Sequence, residues 1–384
     1  MRILVVSDLP QYVTGGAEMQ AYRLVCAWTA AGHEVIVAGR RMRGGSIRLD
    51  DGSMVRVLRI STWQQFGRTL RALTYAFSLA SILIRHRNRV DLVYTRFLHE
   101  GAAVTALLKR WGVLRQPLVA VPANVRGSGD IHSLMSIPGS ARIVRLLRRE
   151  CNAINLIAGA MTDELTDAGF DPRRFIRIPN GIPVKPLRGK SPSSPPTFLT
   201  VGRLAPQKGL NVLIHALSRL GASLAPGQFR IAGDGPERRK LQAMARDMGV
   251  DHAITWLGEL SPDAVAAELD SADIFLLPSL YEGMSNAGLE AMERGRAMLL
   301  TRCGGLDEFV SSRQGWVVEP GDIDALAQAI SQALSADTET LALMGASNRS
   351  TVEDQFDMNL VAMRYLDLFR HLLDTRSEPN YGKA

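Results

Sequence analysis

The order of the predicted secondary structure elements is the feature that most restricts the fold of this chain. Short runs rich in β-branched residues alternate with segments that have the apolar spacing of helices. Strands joined by helices form right-handed crossovers, so this order predicts a parallel, doubly wound sheet of the α/β class. In the first half the strand-like runs are "RILVVSD", "HEVIVAG", "VDLVYTR" and "QPLVAVPA", and helices are expected over about residues 17–32 and 101–112.

The alternation restarts after a segment that has no apolar periodicity. Residues 188–197, "RGKSPSSPPT", are rich in Pro and Ser and predict a linker. The strand-like runs beyond it are "FLTVG", "FRIAG", "ITWLG", "IFLLP", "AMLLT" and "GWVVE".

The sequence therefore predicts two Rossmann-like domains. The first covers residues 1–187, and the second covers residues 198–355. A last helix, over about residues 356–376, has no strand after it and is expected to cross back to the first domain. Because ligands of open α/β sheets bind beyond the carboxyl ends of the strands, two facing sheets are expected to form a cleft.

The composition is that of a soluble globular protein. The chain has 384 residues, of which 46% are hydrophobic and 22% are charged. Its three cysteines, Cys26, Cys151 and Cys303, have no metal-like spacing, which predicts reduced thiols in the cytosol. The chain opens on a strand-like run and not on a secretory signal, and its longest nearly apolar run, residues 72–84, is too short to span a bilayer. We expect a cytoplasmic protein, either soluble or peripheral on the inner face of the membrane.

Positive charge is concentrated in the first half of the chain. From Met1 to Leu187 there are 26 Lys and Arg against 13 Asp and Glu, while the remainder has 19 against 25. No helix-turn-helix, aromatic–basic strand motif or zinc spacing accompanies this charge, so nucleic acid is not a predicted partner. The charge indicates either an anionic partner, for which an anionic membrane surface fits at least as well as nucleic acid, or a surface that arginines simply keep solvated.

Residues 140–157, "SARIVRLLRRECNAINLI", have the pattern of a basic amphipathic helix. One interpretation is a surface helix that is packed through Ile143, Leu146 and Leu147. The other is a lipid-binding face, in which its arginines act together with arginines elsewhere in the first domain. Those other arginines are Arg68, Arg71, Arg85 and Arg87.

Arg203 and Lys208 lie between a predicted strand and a helix that begins near Gly209. Two cations beside a helix N-terminus favour a diphosphate, because the helix dipole and the free amides add to the side-chain charge. A solvated loop with two basic residues is the alternative. The chain lacks G-x-x-x-x-G-K-[ST], which excludes the phosphate loop of nucleoside triphosphatases.

Glycine-rich turns follow several other predicted strands. Gly15 and Gly16 come just before the first helix, where glycines let backbone amides approach an anionic ligand. Gly235 belongs to a second such turn, and Gly304 and Gly305 to a third. Each turn has an ordinary steric explanation, but together they gather at the carboxyl ends of strands.

Two carboxylates, Glu282 and Glu290, lie in "PSLYEGMSNAGLEAMERG". The first is in a loop among small residues, and the second is in a predicted helix. Their placement indicates one ligand that is held from both a loop and a helix.

Seven motifs in order resemble those of the retaining GT-B glycosyltransferases of family 4, also called glycosyl transferases group 1. They extend from near residue 1 to about residue 330. The motifs are "GGAE", "IPNGI", "VGRLAPQKG", "GDGPE", "WLGEL", "PSLYEGMSNAGLEAMERG" and "GGLDEFV".

The resemblance implies a hexosyltransferase-type enzyme that uses a nucleoside diphosphate sugar, a UDP- or GDP-sugar, without a divalent metal or other cofactor. Arg203 and Lys208 would neutralise the leaving diphosphate. Glu282 would face the transferred sugar, by hydrogen bonds or alternatively as a nucleophile, and Glu290 would bind the ribose. The remaining residues of the implied donor site are Gly15, Gly16, Gly235, Leu257, Met284, Ser285, Asn286 and Ala287.

The acceptor implied by the resemblance is a hydroxyl group of a saccharide or of a lipid-linked saccharide, in polysaccharide or glycoconjugate synthesis. Members of the family often have a histidine in the loop after the strand that here reads "PLVAVPA". This chain continues with "NVRGSGDIHSL", which has no histidine at that place. The acceptor-side candidates are therefore Asn124, Arg126, Asp130 and His132.

Asp322 and Asp324 form a D-x-D pair of the kind that metal-dependent sugar transferases of another fold use. Their position at the start of the helical run "IDALAQAI" indicates instead that Asp322 is a helix N-cap. No metal site is predicted.

Two other functions fit the same residues. One is a nucleotide-sugar 2-epimerase of the same fold, and the other is a non-catalytic protein that binds nucleotide-sugars. The intact Arg203, Lys208, Glu282 and Glu290 favour the transferase over the non-catalytic protein.

Overall fold

The computed structural model describes residues 1–13, 15–63, 67–123, 129–135, 139–187, 192–221, 224–225 and 227–377. Two compact units make up the chain, Met1–Gly181 with Met358–Ala384, and Ile182–Asp357. The first division falls at Gly181 and not at Leu187, because Lys185 is bound to the second unit. Its backbone N–H donates to Glu293 at 2.9 Å, and its carbonyl accepts from Arg349 at 2.7 Å. Residues 188–191 of the expected linker lie outside the described residues.

The first unit contains an eight-stranded sheet. Its order is β3-β4-β2-β1-β5-β6-β7-β8, in which only the β3–β4 pair is antiparallel. Strands β1 and β5 are buried on both faces, as their continuous apolar runs predict. The strands are β1 (Arg2–Val6), β2 (Glu34–Gly39), β3 (Gly45–Arg48), β4 (Met54–Arg59), β5 (Leu92–Arg96), β6 (Leu118–Val121), β7 (Ala153–Asn155) and β8 (Phe175–Ile176).

Six helices of the first unit lie between its strands. The basic helix predicted over residues 140–157 ends at Glu150, because Ala153–Asn155 is fully buried and pairs as a strand with β6 and β8. The helices are α1 (Gly16–Ala30), α2 (Gly67–His86), α3 (Glu100–Arg110), α4 (Asp130–Met135), α5 (Ser140–Glu150) and α6 (Met161–Asp167).

The second unit contains a six-stranded sheet in which every neighbouring pair is parallel. Its order is β11-β10-β9-β12-β13-β14, and all six strands are those predicted from sequence. The strands are β9 (Phe198–Val201), β10 (Phe229–Ala232), β11 (Ile254–Gly258), β12 (Ile274–Leu277), β13 (Ala297–Thr301) and β14 (Gly315–Val318). The helices are α7 (Leu210–Leu220), α8 (Arg238–Asp247), α9 (Pro262–Ser271), α10 (Asn286–Glu293), α11 (Ile323–Ser335) and α12 (Thr338–Thr351).

In both sheets the order in which the chain adds strands reverses at an inner strand. In the second unit the chain runs outward from β9 to β11 and then returns to place β12 on the other side of β9. In the first unit the same reversal of strand order lies between the neighbouring strands β1 and β5. Loops diverge at such a point, and the crevice beyond the carboxyl ends of the two strands is where doubly wound sheets bind ligands.

The last helix, α13 (Met358–Ser377), belongs to the first unit, as predicted. Its Tyr365 and Phe369 pack edge-on against Trp28 of α1, with ring centroids 5.8 and 5.3 Å apart. The hydroxyl of Tyr365 also accepts a hydrogen bond from Asn155 at 2.7 Å. The helix therefore completes the core of the first unit. Within the described residues, no helix combines the length and the hydropathy that a membrane-crossing segment needs.

Replacing Phe369 with Ala should destabilise the first unit by about 3–5 kcal/mol, because the fully buried ring would leave a cavity beside Trp28. Met363 is half exposed on the same helix, so Met363→Ala should cost less than about 1 kcal/mol. Hydrogen–deuterium exchange of first-unit peptides in increasing urea measures both values. Equal losses of stability in the two variants would contradict a stabilising role for the packing of Phe369 against Trp28.

Candidate active site

Two loops of the second unit meet at the carboxyl ends of the neighbouring strands β9 and β12. The first loop, residues 202–209, leads to α7, and the second, residues 278–285, leads to α10. The backbone N–H of Leu280 donates to the carbonyl of Gln207 at 2.8 Å. This bond ties the loops together at the point where the strand order reverses.

Lys208 and Glu282 form an ion pair across these loops. Lys208 Nζ lies 2.5 Å from Glu282 Oε2, and the two side chains are only 16% and 19% exposed. The same Oε2 accepts from the hydroxyl of Ser279 at 3.3 Å. The site therefore holds a fixed cation and a fixed carboxylate in one place, although 74 residues of chain separate them.

Gly209 is required for the loops to approach this closely. Its φ is +62°, in the left-handed region, and a Cβ at this position would lie 2.0 Å from the carbonyl oxygen of Pro278. A side chain at Gly209 would push the two loops apart and separate Lys208 from Glu282.

Gly235 has the same function for the loop that follows β10. A Cβ on it would lie 2.3 Å from the carbonyl oxygen of Leu204. The backbone N–H of Leu204 in turn donates to the carbonyl of Asp234 at 2.9 Å. The loop after β9 is therefore held on both sides. Leu257 is half-buried on the edge strand β11, next to β10.

Arg203 is exposed at the start of the loop after β9, and it makes no ion pair within the described part of the chain. The structure thus brings both predicted cations to one loop, where Lys208 is paired with a carboxylate and Arg203 is not.

Helix α10 begins immediately after the second loop. Ser285 is buried and caps the helix by accepting from the backbone N–H of Gly288 at 3.2 Å. Met284 is buried beside it, whereas Asn286 and Ala287 are half-buried in the first turn. Glu290 is also half-buried, on the second turn of the helix. The predicted loop and helix positions of the two glutamates are therefore those observed.

Cys303 is a buried neighbour of this site that the motifs do not single out. Burial, together with the nearby carboxylates of Asp307 and Glu282, raises the pKa of its thiol to about 12. The thiol therefore stays protonated near neutral pH and is not a nucleophile.

The acidic pair Asp322 and Asp324 is structural, as predicted. Asp322 Oδ1 accepts from the backbone N–H of Ala325 at 2.9 Å and caps α11. Asp324 lies on the surface, 3.4 Å from Arg219. In the described ranges, no three His, Cys, Asp or Glu side chains group together in the manner of a metal site.

The first unit has a cavity of about 210 Å³ where its own strand order reverses. Gly15 is the N-cap of α1 near this edge, and Gly16 is the first residue of the helix. The charged and titratable side chains that line the cavity are Asp8, Glu18, Arg40, Tyr75, Arg96, His99 and Glu100.

His99 is one of the residues of this cavity that sequence reasoning missed. Its Nε2 lies 3.7 Å from Oδ1 of Asp130, and the other oxygen of Asp130 accepts from the backbone N–H of Leu98 at 2.8 Å. Between β5 and His99, Phe97 has a φ of +73°, a strained value for a non-glycine residue. The available signal was the position of His99 just after a predicted strand beside the reversal point.

Asp130 supports His99 from below the surface and does not line the cavity itself. It is 1% exposed, and burial raises the pKa of its carboxyl while the charges of His99 and Arg96 oppose that rise. This corrects its expected position on the acceptor side. His132 is exposed on α4, while Asn124 and Arg126 lie outside the described residues.

Comparison with known proteins identifies the family. The profile described as Glycosyltransferase Family 4 matches residues 14–185, and the profile described as Glycosyl transferases group 1 matches residues 195–336. Glycogen synthase from Mycobacterium tuberculosis is 29% identical over 386 residues, which cover 94% of this chain and 92% of that protein. The chain belongs to glycosyltransferase family 4.

Solved structures share the fold of this family 4 glycosyltransferase. Sucrose-phosphate synthase from Thermosynechococcus elongatus has a TM-score of 0.79 at 17% identity, covering 97% of this chain and 99% of that one. Alr3699/HepE from Anabaena, solved with UDP and glucose, has a TM-score of 0.75 at 19% identity, covering 97% and 100%. The glycosyltransferase, with its two α/β units, thus has the GT-B fold.

Gly209→Ala should destabilise the second unit of the glycosyltransferase by at least twice as much as Gly249→Ala. Both glycines have positive φ, at which an alanine costs about 1–2 kcal/mol, but a Cβ at Gly249 meets no atom within 4 Å. At Gly209 the carbonyl of Pro278 must also move. Pulse proteolysis in urea measures the stability of the two variants. Similar losses of stability would show that the two loops do not depend on the close approach of Gly209 to Pro278.

Proposed function

We propose that the protein is a retaining, metal-independent glycosyltransferase. It would transfer a sugar from a nucleoside diphosphate sugar to a hydroxyl group of a saccharide or lipid-linked acceptor. The observation that carries this proposal is the Lys208–Glu282 pair at the reversal point of the second sheet. A diphosphate and the sugar attached to it are adjacent groups, and the pair presents a cation and a carboxylate at adjacent positions.

Lys208 and Arg203 are the proposed stabilisers of the leaving diphosphate. Negative charge develops on the diphosphate oxygen as the bond to the sugar breaks, and cations held near that oxygen lower the energy of the transition state. Lys208 is fixed by its contact with Glu282, while the exposed Arg203 is available to fold over the bound donor. Two such cations supply the charge that Mg²⁺ supplies in metal-dependent transferases.

Glu282 is the proposed hydrogen-bond acceptor for hydroxyl groups of the transferred sugar. Its Oε2 already interacts with Lys208 and Ser279, which reduces the nucleophilicity of that oxygen. We therefore assign no enzymic nucleophile. Retention would result from attack by the acceptor hydroxyl on the face from which the diphosphate departs.

Glu290 is the proposed ligand of the ribose. It lies four residues beyond Asn286 on α10, or about 6 Å along the helix axis. That separation suits the step from the phosphates to the nucleoside. Backbone groups around Met284, Ser285, Asn286 and Ala287 would bind phosphate and sugar, and Gly235 and Leu257 would lie near the base. HepE binds UDP and glucose, so a UDP-sugar is one candidate donor and a GDP-sugar is the other.

The cavity of the first unit is the proposed acceptor site. Its mixture of Asp8, Arg96 and His99 suits the hydroxyl groups of a saccharide, and Glu18 of its lining lies in the first turn of α1, just after Gly15 and Gly16. The product would be a polysaccharide or a glycoconjugate of the cell surface. A lipid-linked acceptor would place the protein at the inner face of the membrane, where the basic first unit meets anionic lipid.

Lys208→Ala and Glu282→Ala should each lower turnover at least tenfold, which corresponds to about 1.4 kcal/mol or more of lost transition-state stabilisation. Lys240→Ala is the matched control, because Lys240 is an exposed lysine of the same unit whose ion pair, within the described residues, is with Glu237. Steady-state rates with the preferred donor measure the effect. Near-normal turnover in both site variants would refute the assignment.

Release of nucleoside diphosphate should depend on the acceptor and persist in EDTA. UDP- and GDP-sugars are incubated with and without a panel of saccharide and lipid-linked acceptors, and diphosphate is measured. Release that needs no acceptor, together with a changed sugar configuration, would indicate an epimerase. Loss of activity in EDTA that added Mg²⁺ restores would overturn the metal-independent mechanism.

A further inference from the structure

An apolar surface that the reaction does not use lies along α2. Leu73, Phe77 and Ile84 share one face of this helix, since they are four and seven residues apart, and they are 61%, 78% and 41% exposed. Trp63, in the segment before the helix, is 58% exposed. These four residues are called the α2 surface below. So many large apolar side chains exposed together mark an interaction site.

The α2 surface is built into the fold. The segment of residues 61–63 runs beside α2, because the backbone N–H of Ser61 donates to Ser78 at 2.9 Å and that of Trp63 donates to Thr74 at 3.1 Å. Between the segment and the helix is a groove of about 700 Å³, with Trp63 and Phe77 in its wall.

Arginines line the groove and flank it in the sequence. The sequence from Gly52 to Val90 contains seven arginines and neither Asp nor Glu. Arg59 and Arg85 line the groove itself, and Arg87 follows α2 as an exposed residue. None of these three forms an ion pair within the described residues. An apolar face with arginines around it matches acyl chains beneath anionic phosphates.

The basic helix α5 has only half of this combination. Val144 and Leu147 are buried, and Ile143 and Leu146 are half-buried against the body of the unit. Its apolar side is therefore used in packing, as the first interpretation of the sequence held. What α5 exposes is charge without an apolar face.

The groove also adjoins the cavity that we assign to the acceptor. Thr74 lines the groove, while the next residue, Tyr75, lines the cavity. Ile60 lines the cavity between Arg59 and Ser61 of the groove. A saccharide on a lipid carrier would thus reach the cavity while its apolar chain stays in the bilayer.

We infer that the α2 surface is the membrane-docking site of this protein and that its partner is an anionic lipid bilayer. The inference extends the proposed lipid-linked acceptor and is independent of the donor site. Trp63, Phe77 and Leu73 enter the headgroup–acyl boundary, and the arginines contact lipid phosphates. A second copy of the chain is a poor occupant, since a two-fold contact would bring two arginine-rich surfaces together.

Sedimentation of the full chain with vesicles tests the inference. Vesicles of equimolar phosphatidylcholine and phosphatidylglycerol should bind the protein at about 0.1 M salt, and phosphatidylcholine alone should bind it at least tenfold more weakly. Leu73→Ser combined with Phe77→Ser should reduce binding at least tenfold. Leu343→Ser is the matched control, because Leu343 is a leucine of the second unit that is 66% exposed, and it should leave binding unchanged.

A second pair of variants separates the α2 surface from charge in general. Arg85→Glu with Arg87→Glu should reduce binding at least tenfold, whereas Arg142→Glu with Arg145→Glu on α5 makes the same charge change and should reduce it less than about threefold. Equal losses from the two pairs would overturn the inference, as would absent vesicle binding or a self-association that Phe77→Ser abolishes. A melting-temperature shift with UDP or GDP, unchanged in every variant, verifies the fold and tests the donor site separately.

Discussion

The close approach of Gly209 to the carbonyl of Pro278 is the constraint on which the proposed donor site depends. It allows two loops from neighbouring strands to touch through their backbones, where any side chain would hold them apart. The bond from Leu280 to Gln207 and the Lys208–Glu282 ion pair both require that approach. One residue without a Cβ therefore sets the distance between the groups that we assign to the diphosphate and to the sugar.

Strand order explains why such loops meet at all. In each unit the chain reverses beside its first strand, so the loops after that strand and after its new neighbour diverge and leave a crevice. Lys208 and Glu282 lie at this crevice in the second unit, and Arg96 and His99 lie at the corresponding crevice in the first unit. The same topological rule produces both crevices, and the side chains in the loops make the crevice of the second unit suitable for a diphosphate and that of the first unit suitable for a saccharide.

Sequence reasoning succeeded where a signal is local. Long buried strands, the Asp322 cap and the loop and helix positions of the two glutamates follow from patterns within a few residues. It failed where the deciding contact is distant. The short strand β7 was taken for the end of a helix, because only its pairing with β6 and β8 makes its residues a strand. Burial of Asp130 beneath His99 likewise depends on an element that is far away in sequence.

The ion pair itself argues for function over stability. Removing a lysine and a glutamate from water costs about as much free energy as their mutual attraction gains. Apolar side chains of similar size would therefore hold the two loops together at least as well. A pair kept at 16% and 19% exposure is therefore poorly explained as a structural device. Within the proposed donor site its value would be orientation: Glu282 would hold the ammonium of Lys208 in place before a diphosphate binds, so that little reorganisation would remain for the transition state. Arg203, which makes no ion pair within the described part of the chain, would add the charge that a fixed pair cannot supply.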